Sequence, residues 1–189
     1  MDIQTYSLLL TIAALFLLAF SLFVNFNFLT FNKENVLNNI LHKIFGLNIN
    51  DKNFILYILA IISGCSILGA LVYEYIYSAE PCYMCWWGRI FLFPIFPISL
   101  LALKYKITNI AKIISLLAGL GLVIAIYHYY FHFNVYVLGN ILSMPCDTNP
   151  LTPSCVNNNG VLVFGLFTIP AMGILNFISM ILLANKIKD

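Results

Sequence analysis

Charge is what this sequence has least of: 8% of its 189 residues are Asp, Glu, Lys or Arg, against about 25% in soluble domains. It contains one arginine, Arg89, and the net charge of +2 is not gathered into a basic stripe. Nucleic-acid binding, which relies on neutralising many phosphates, is therefore excluded as a reading. No internal repeat and no stretch suited to a soluble domain is present. Hydrophobic residues make up 62% of the chain. A water-soluble fold of this length could not hide that much apolar surface, so lipid is its main solvent.

Five stretches approach the roughly 20 apolar residues that a membrane helix needs. They are Ser7 to Phe31, Phe54 to Tyr73, Met84 to Leu103, Ile113 to Phe131, and Val161 to Ala184. Gly64, Ser66 and Gly69 in the second, and Ala118, Gly121 and Ala125 in the fourth, offer small faces for close helix approach. Pro94 and Pro97 should bend the third, and Pro170 lies inside the fifth. The head of the first, "MDIQTY", carries an acid where a secretory signal would carry Lys or Arg, so an uncleaved helix is expected.

The lysines give an orientation. Lys33, Lys43 and Lys52 separate spans one and two; Lys104, Lys106 and Lys112 separate spans three and four; Lys186 and Lys188 follow span five. All lie on one side, which the positive-inside rule makes cytoplasmic. The CxxC segment and the His132 to Gly160 loop then face outward. From Asn35 to Phe45, Val36, Leu37, Ile40, Leu41 and Ile44 share a helical face, and Gly46 suits a stop. This reads as a short helix lying on the inner membrane surface, with His42 an ordinary residue of its polar face.

Of five cysteines, Cys82, Cys85, Cys146 and Cys155 fall in the outward loops, where disulfides persist. Cys65, mid-span, reads as a small hydrophobe. The Cys82/Cys85 pair opens span three, where the helix dipole acidifies a thiol. Arg89 lies one turn beyond Cys85, so the reactive thiolate is expected at Cys85. A static Cys82–Cys85 bridge is the blander alternative, and it gains little because the loop is short. Cys146 and Cys155 flank a polar loop with Pro150 and Pro153, which on its own reads as a staple. Beside a CxxC on the same face it could instead exchange disulfides. A four-thiolate zinc site is a rival arrangement, but an oxidising face argues against it.

Arg89 could snorkel to lipid phosphates rather than bind a ligand. Trp86, Trp87, Tyr73, Tyr75 and Tyr77 resemble an interfacial belt, although Trp86 could wall a pocket. His128, near the outer end of span four, suits a proton relay or ligand contact, and equally an interhelical hydrogen bond. His132 is expected at headgroup level. Glu74 and Glu80 are expected at the solvated outer surface, with Glu80 able to tune the thiols.

Taken together, "EPCYMCWWGRIFLFP", "YHYY", "MPCDTNPLTPSC" and "GLFTIPAMGILNF" resemble, in order and topology, the DsbB family of quinone-dependent membrane disulfide-forming proteins, especially its shorter BdbC-like branch. The resemblance implies an all-α integral membrane fold: a four-helix transmembrane bundle of the DsbB type plus one additional N-terminal transmembrane helix. Residues 1–53 would hold that helix and the amphipathic segment, and 54–189 the redox domain. The position before Arg89 is Gly88, where many relatives carry a polar side chain.

By that resemblance, Cys146 and Cys155 would take electrons from an extracytoplasmic thioredoxin-fold, DsbA-like oxidase and pass them to Cys82 and Cys85. Cys85 would hand them to a membrane quinone, ubiquinone or menaquinone, with Arg89, Trp86 and His128 as quinone contacts and no metal. The expected location is the bacterial cytoplasmic (inner) membrane, with the cysteines facing the periplasm or cell exterior. DsbA, the reference oxidase of this route, has a potential of about −120 mV, and a typical isomerase disulfide about −180 mV. Electron flow from the first to the second is uphill by about 60 mV, roughly 2.8 kcal/mol, so a downhill terminal acceptor is required. A vitamin K epoxide reductase relative would place the loop pair before the CxxC, the reverse of the order here. Two further rivals are a membrane metal-binding protein using the four thiols and a purely structural helix bundle.

Overall fold

The computed structural model describes residues 2–30, 52–105, 107, 109–140, 155 and 161–187. Six helices follow one another: α1 (Ile3–Thr30), α2 (Lys52–Tyr75), α3 (Tyr83–Leu92), α4 (Ile95–Tyr105), α5 (Ile110–Tyr136) and α6 (Ile169–Ala184). Among the described residues there is no strand, only an isolated antiparallel bridge between Val163 and Phe167. The chain is an all-α membrane protein. Helices α1, α2 and α5, and α3 with α4 taken as one segment, are long and apolar enough to cross a bilayer. The segment Asn35 to Phe45, with His42, lies outside the described residues, as does Cys146.

Lipid offers the backbone no hydrogen-bond partner, so helices that satisfy themselves are the stable solution. Hydroxyl side chains follow the same rule and bond back one turn. Thr11 donates to the Ser7 carbonyl at 2.8 Å, Ser63 to Leu59 at 2.7 Å and Ser99 to Ile95 at 2.8 Å. The third span breaks where the prolines stand. Helix α3 ends at Leu92, and α4 restarts after Pro94, whose carbonyl accepts from Ile98 N–H at 3.1 Å.

Span five departs from expectation. Its helix is Ile169–Ala184 rather than Val161 to Ala184, and Pro170 opens it instead of sitting inside. Proline lacks the N–H that a helix interior needs, but at the first turn that N–H has no partner anyway. At 16 residues the helix is about 24 Å long, short of the roughly 30 Å hydrocarbon core. The apolar residues before it turn back on themselves, with left-handed backbone at Phe164 and Gly165. Val161 and Val163 pack against Tyr73, Ala79 and Met172. Their apolar side chains are buried in this cluster without belonging to a helix.

The main core joins Leu56 and Leu59 of α2, Ile95 of α4, Ile114 of α5, and Met180 and Leu183 of α6. The small faces serve close helix approach. A Cβ at Gly64 would lie 3.2 Å from the Phe96 ring, and one at Gly121 would collide with the Phe177 ring. Helix α1 packs on α6 and reaches α2, where Tyr6 and Leu10 lie over Gly69. Lys52 Nζ donates to the Ile107 carbonyl at 3.1 Å, so the start of α2 meets the α4–α5 connection at one end of the bundle. Cys82 and Cys85 lie at the other end.

Candidate redox site

Helix α3 starts directly after Cys82, which is its N-cap. The Cys82 backbone is extended, and its Sγ accepts from Cys85 N–H at 3.3 Å. An unpaired N–H at a helix start attracts an acceptor, and sulfur takes the place usually held by an oxygen. The helical turn brings the two sulfurs to 3.0 Å as free thiols. Cys82 is 5% exposed. Its pKa falls from the ordinary 9.0 to about 5, chiefly through the hydrogen bond with the Cys85 thiol. Burial opposes the shift, and His128, with Nε2 3.7 Å from Cys82 Sγ, reinforces it. The thiolate therefore falls on Cys82, whereas the sequence alone points to Cys85. The N-cap position receives both the backbone N–H and the neighbouring thiol, and Arg89 is paired with Glu74.

Arg89 Nη1 donates to Glu74 Oε2 at 2.5 Å, and Nη2 to the Ala70 carbonyl at 3.4 Å. The sequence predicts a solvated Glu74. It sits instead at the end of α2 as the counter-charge for the chain's one arginine, an ion pair that crosses two spans and has no signature in the sequence. The guanidinium also stacks over Trp86, 5.1 Å from the ring centroid. Trp86 is half exposed and does not line the cavity behind Cys85.

That cavity, of about 240 Å³, is bounded by α1, α2, α3, α5 and α6. Cys85, Gly88, Arg89 and His128 line it, and exposed Glu80 contributes to its wall. Most of the remaining lining is aliphatic, with Cys65 among it. An apolar chamber carrying a few polar groups is how proteins bind small, flat organic molecules. Nothing within 4 Å would meet a Cβ at Gly88, so the missing side chain there leaves room.

The loop pair is represented by Cys155, which is disulfide-bonded and 1% exposed. It packs in one cluster with Cys82, Phe131, Met84 and Cys85. Loop composition alone suggests a polar, mobile setting; here Cys155 is docked. His128 and His132, one turn apart on α5, each put Nε2 2.8 Å from the Cys155 carbonyl. A carbonyl only accepts, so both rings carry their hydrogen on Nε2. Helix α5 runs on to Tyr136 and leaves His132 2% exposed, buried against neighbouring side chains. The cause is Cys155, which gives this helix face a partner other than water. Cys82, Cys85 and His128 also bring three potential metal-ligand atoms within 4.8 Å of one another. With Cys155 oxidised, the four-thiolate set that structural zinc prefers is not assembled in this state.

A vicinal thiol pair at a helix start, a docked disulfide beside it and an apolar cavity behind it define a membrane thiol–disulfide protein. The comparisons with known proteins agree. The family model "Disulfide bond formation protein DsbB" matches residues 52–184. The SPbeta prophage-derived disulfide bond formation protein B of Bacillus subtilis (strain 168) is 32% identical over 145 residues, 73% of this chain and 92% of the relative. A probable disulfide formation protein of Chlamydia caviae is 32% identical over 127 residues, covering 67% and 85%. The probable disulfide formation protein C of Bacillus cereus is 31% identical over 124 residues, covering 63% and 84%. No solved structure matches at comparable significance. The chain belongs to the DsbB family of membrane disulfide bond formation proteins, which are oxidoreductases.

Proposed function

We propose that this protein reoxidises an extracytoplasmic thioredoxin-fold, DsbA-like oxidase and passes the electrons through two cysteine pairs to a membrane quinone. One observation carries the reading: the Cys82/Cys85 thiols touch each other, and Cys85 opens onto an apolar cavity shared with Arg89. The cysteine end faces away from the cytoplasm in the bacterial inner membrane, a placement that the lysine distribution supports. Residues 54–189 form the redox unit, and 1–53 the added helix and inner-surface segment.

The cavity suits a quinone on its own chemistry. Its walls are apolar, as a ring and prenyl tail require, and Arg89 offers N–H donors for a carbonyl oxygen. A bound quinone supplies an acceptor for two electrons and two protons.

The protein's residues do the rest. A reduced partner transfers its electron pair to the Cys146–Cys155 disulfide, becoming oxidised and leaving two thiols. Those thiols then reduce a Cys82–Cys85 disulfide by the same exchange. The histidine pair on α5 holds Cys155 within the Cys82 cluster, which favours exchange between the pairs. When Cys82 and Cys85 close again, the Cys82 thiolate and Cys85 thiol release two electrons and one proton; water supplies the second proton. Arg89 would offer its remaining N–H donors to a bound quinone oxygen, with Glu74 balancing and orienting the guanidinium.

The test is quinone reduction by purified protein given a reduced thioredoxin-fold donor. Cys85→Ala and Cys146→Ala should each abolish turnover. Full activity in either variant removes that pair from the pathway.

A further inference from the structure

One wall of the cavity comes from outside the segment that matches the family. The match begins at residue 52, yet Leu10, Ala13, Ala14 and Leu17 of α1 line the chamber that contains Cys85 and Arg89. Their spacing of i, i+3, i+4 and i+7 puts them on one helical face. The face is recessed in the middle, where two alanines stand between two leucines. Ala14 is 4% exposed, whereas Phe16 on the same helix is 71% exposed and points away.

Polar contacts hold α1 in place. Tyr73 donates its hydroxyl to Ser7 Oγ at 2.8 Å, Tyr6 to the Gly69 carbonyl at 3.4 Å, and Asn25 Nδ2 to the Leu182 carbonyl at 3.1 Å. Lipid tails compete equally for apolar contacts, so bonds of this kind and small side chains decide which helices stay together in a bilayer. The buried residues Ser7, Thr11, Ala14 and Ser21 form a narrow stripe along the docked face. Helix α1 is thus fixed to both α2 and α6, with its alanine recess facing the chamber.

We infer that α1 is part of the quinone site, closing the cavity on the side that α2 and α6 leave open. The Ala13–Ala14 recess sets how bulky a quinone the site accepts. This rests on the quinone reading and adds to it a specificity-determining element that the family core does not contain.

The experiment uses the full chain in detergent and two binding readouts. A photoactivatable azidoquinone is cross-linked to wild-type protein, with excess decylubiquinone as competitor, and the labelled peptides are mapped. Saturable label on the α1 peptide containing residues 10–17, together with label on α3, is expected. Decylubiquinone affinity is then measured by tryptophan quenching. Ala14→Leu should raise Kd about tenfold by overfilling the recess, and Phe16→Ala should leave it unchanged. Saturable label on α3 without α1, or an unchanged Kd in Ala14→Leu, overturns the role of α1 and leaves the quinone reading standing. Absence of saturable label anywhere in the wild type overturns both. The label map needs no substitution, so it decides the matter even if Ala14→Leu fails to fold.

Discussion

At the scale of single residues, the site is a set of competing claims on a few polar atoms. Cys82 wins the thiolate because it caps α3 and receives the Cys85 hydrogen bond. Its pKa is lowered, so as pH falls from 9 the thiolate persists until about pH 5. The stability it contributes is fully present above the unfolded value and is lost as pH falls through about 5. Iodoacetamide should therefore alkylate reduced Cys82 with a half-maximal rate near pH 5. A midpoint at the ordinary 9.0 would show the cap to be inert. Arg89 and Glu74 make a second claim that can be tested. Both side chains are mostly buried, so Glu74→Gln, which strands the guanidinium, should cost about 2 kcal/mol in unfolding measurements. Pairing it with Arg89→Met should recover part of that loss; strictly additive effects would mean the two groups are not coupled.

At the scale of elements, helix contact is set by where side chains are missing. Gly119 and Gly121 lie two residues apart on α5 and look alike in the sequence. A Cβ at Gly119 meets nothing within 4 Å, whereas one at Gly121 would collide with Phe177. Gly119→Ala should therefore be neutral or raise the thermal midpoint slightly, because alanine favours helix by up to about 1 kcal/mol. Gly121→Ala should lower it, by about 1–3 kcal/mol of overpacking between α5 and α6. Equal midpoints for the two variants would refute this packing. Proline acts similarly by position. Pro94 splits one long apolar segment into α3 and α4, and Pro170 begins α6 and so shortens the last helix.

At the scale of the whole molecule, Lys52, Lys104 and Lys112 stand at the helix ends opposite the one that carries Cys82 and Cys85. In a cysteine-free background, Ser78→Cys should react with a membrane-impermeant maleimide in intact cells. Asn109→Cys should react only after permeabilisation. Both residues are exposed, so access to the reagent depends on the membrane alone. The reverse pattern would invert the topology and remove the cysteines from the oxidising face.

The sequence by itself determined the solvent, most of the spans, an irregularity in the third span at its prolines and the thiol pair at the head of a helix. Each of these follows from local composition, short-range spacing or a proline's missing N–H, all of which act along the chain. It did not reveal the Glu74–Arg89 pair, the two histidines on the Cys155 carbonyl, the thiolate on Cys82 rather than Cys85, or α1 as a cavity wall. Those depend on which side chains from distant segments meet. Lipid presses equally on every apolar face, so only the packing of small residues and a few interhelical hydrogen bonds in the folded bundle decides which faces come together.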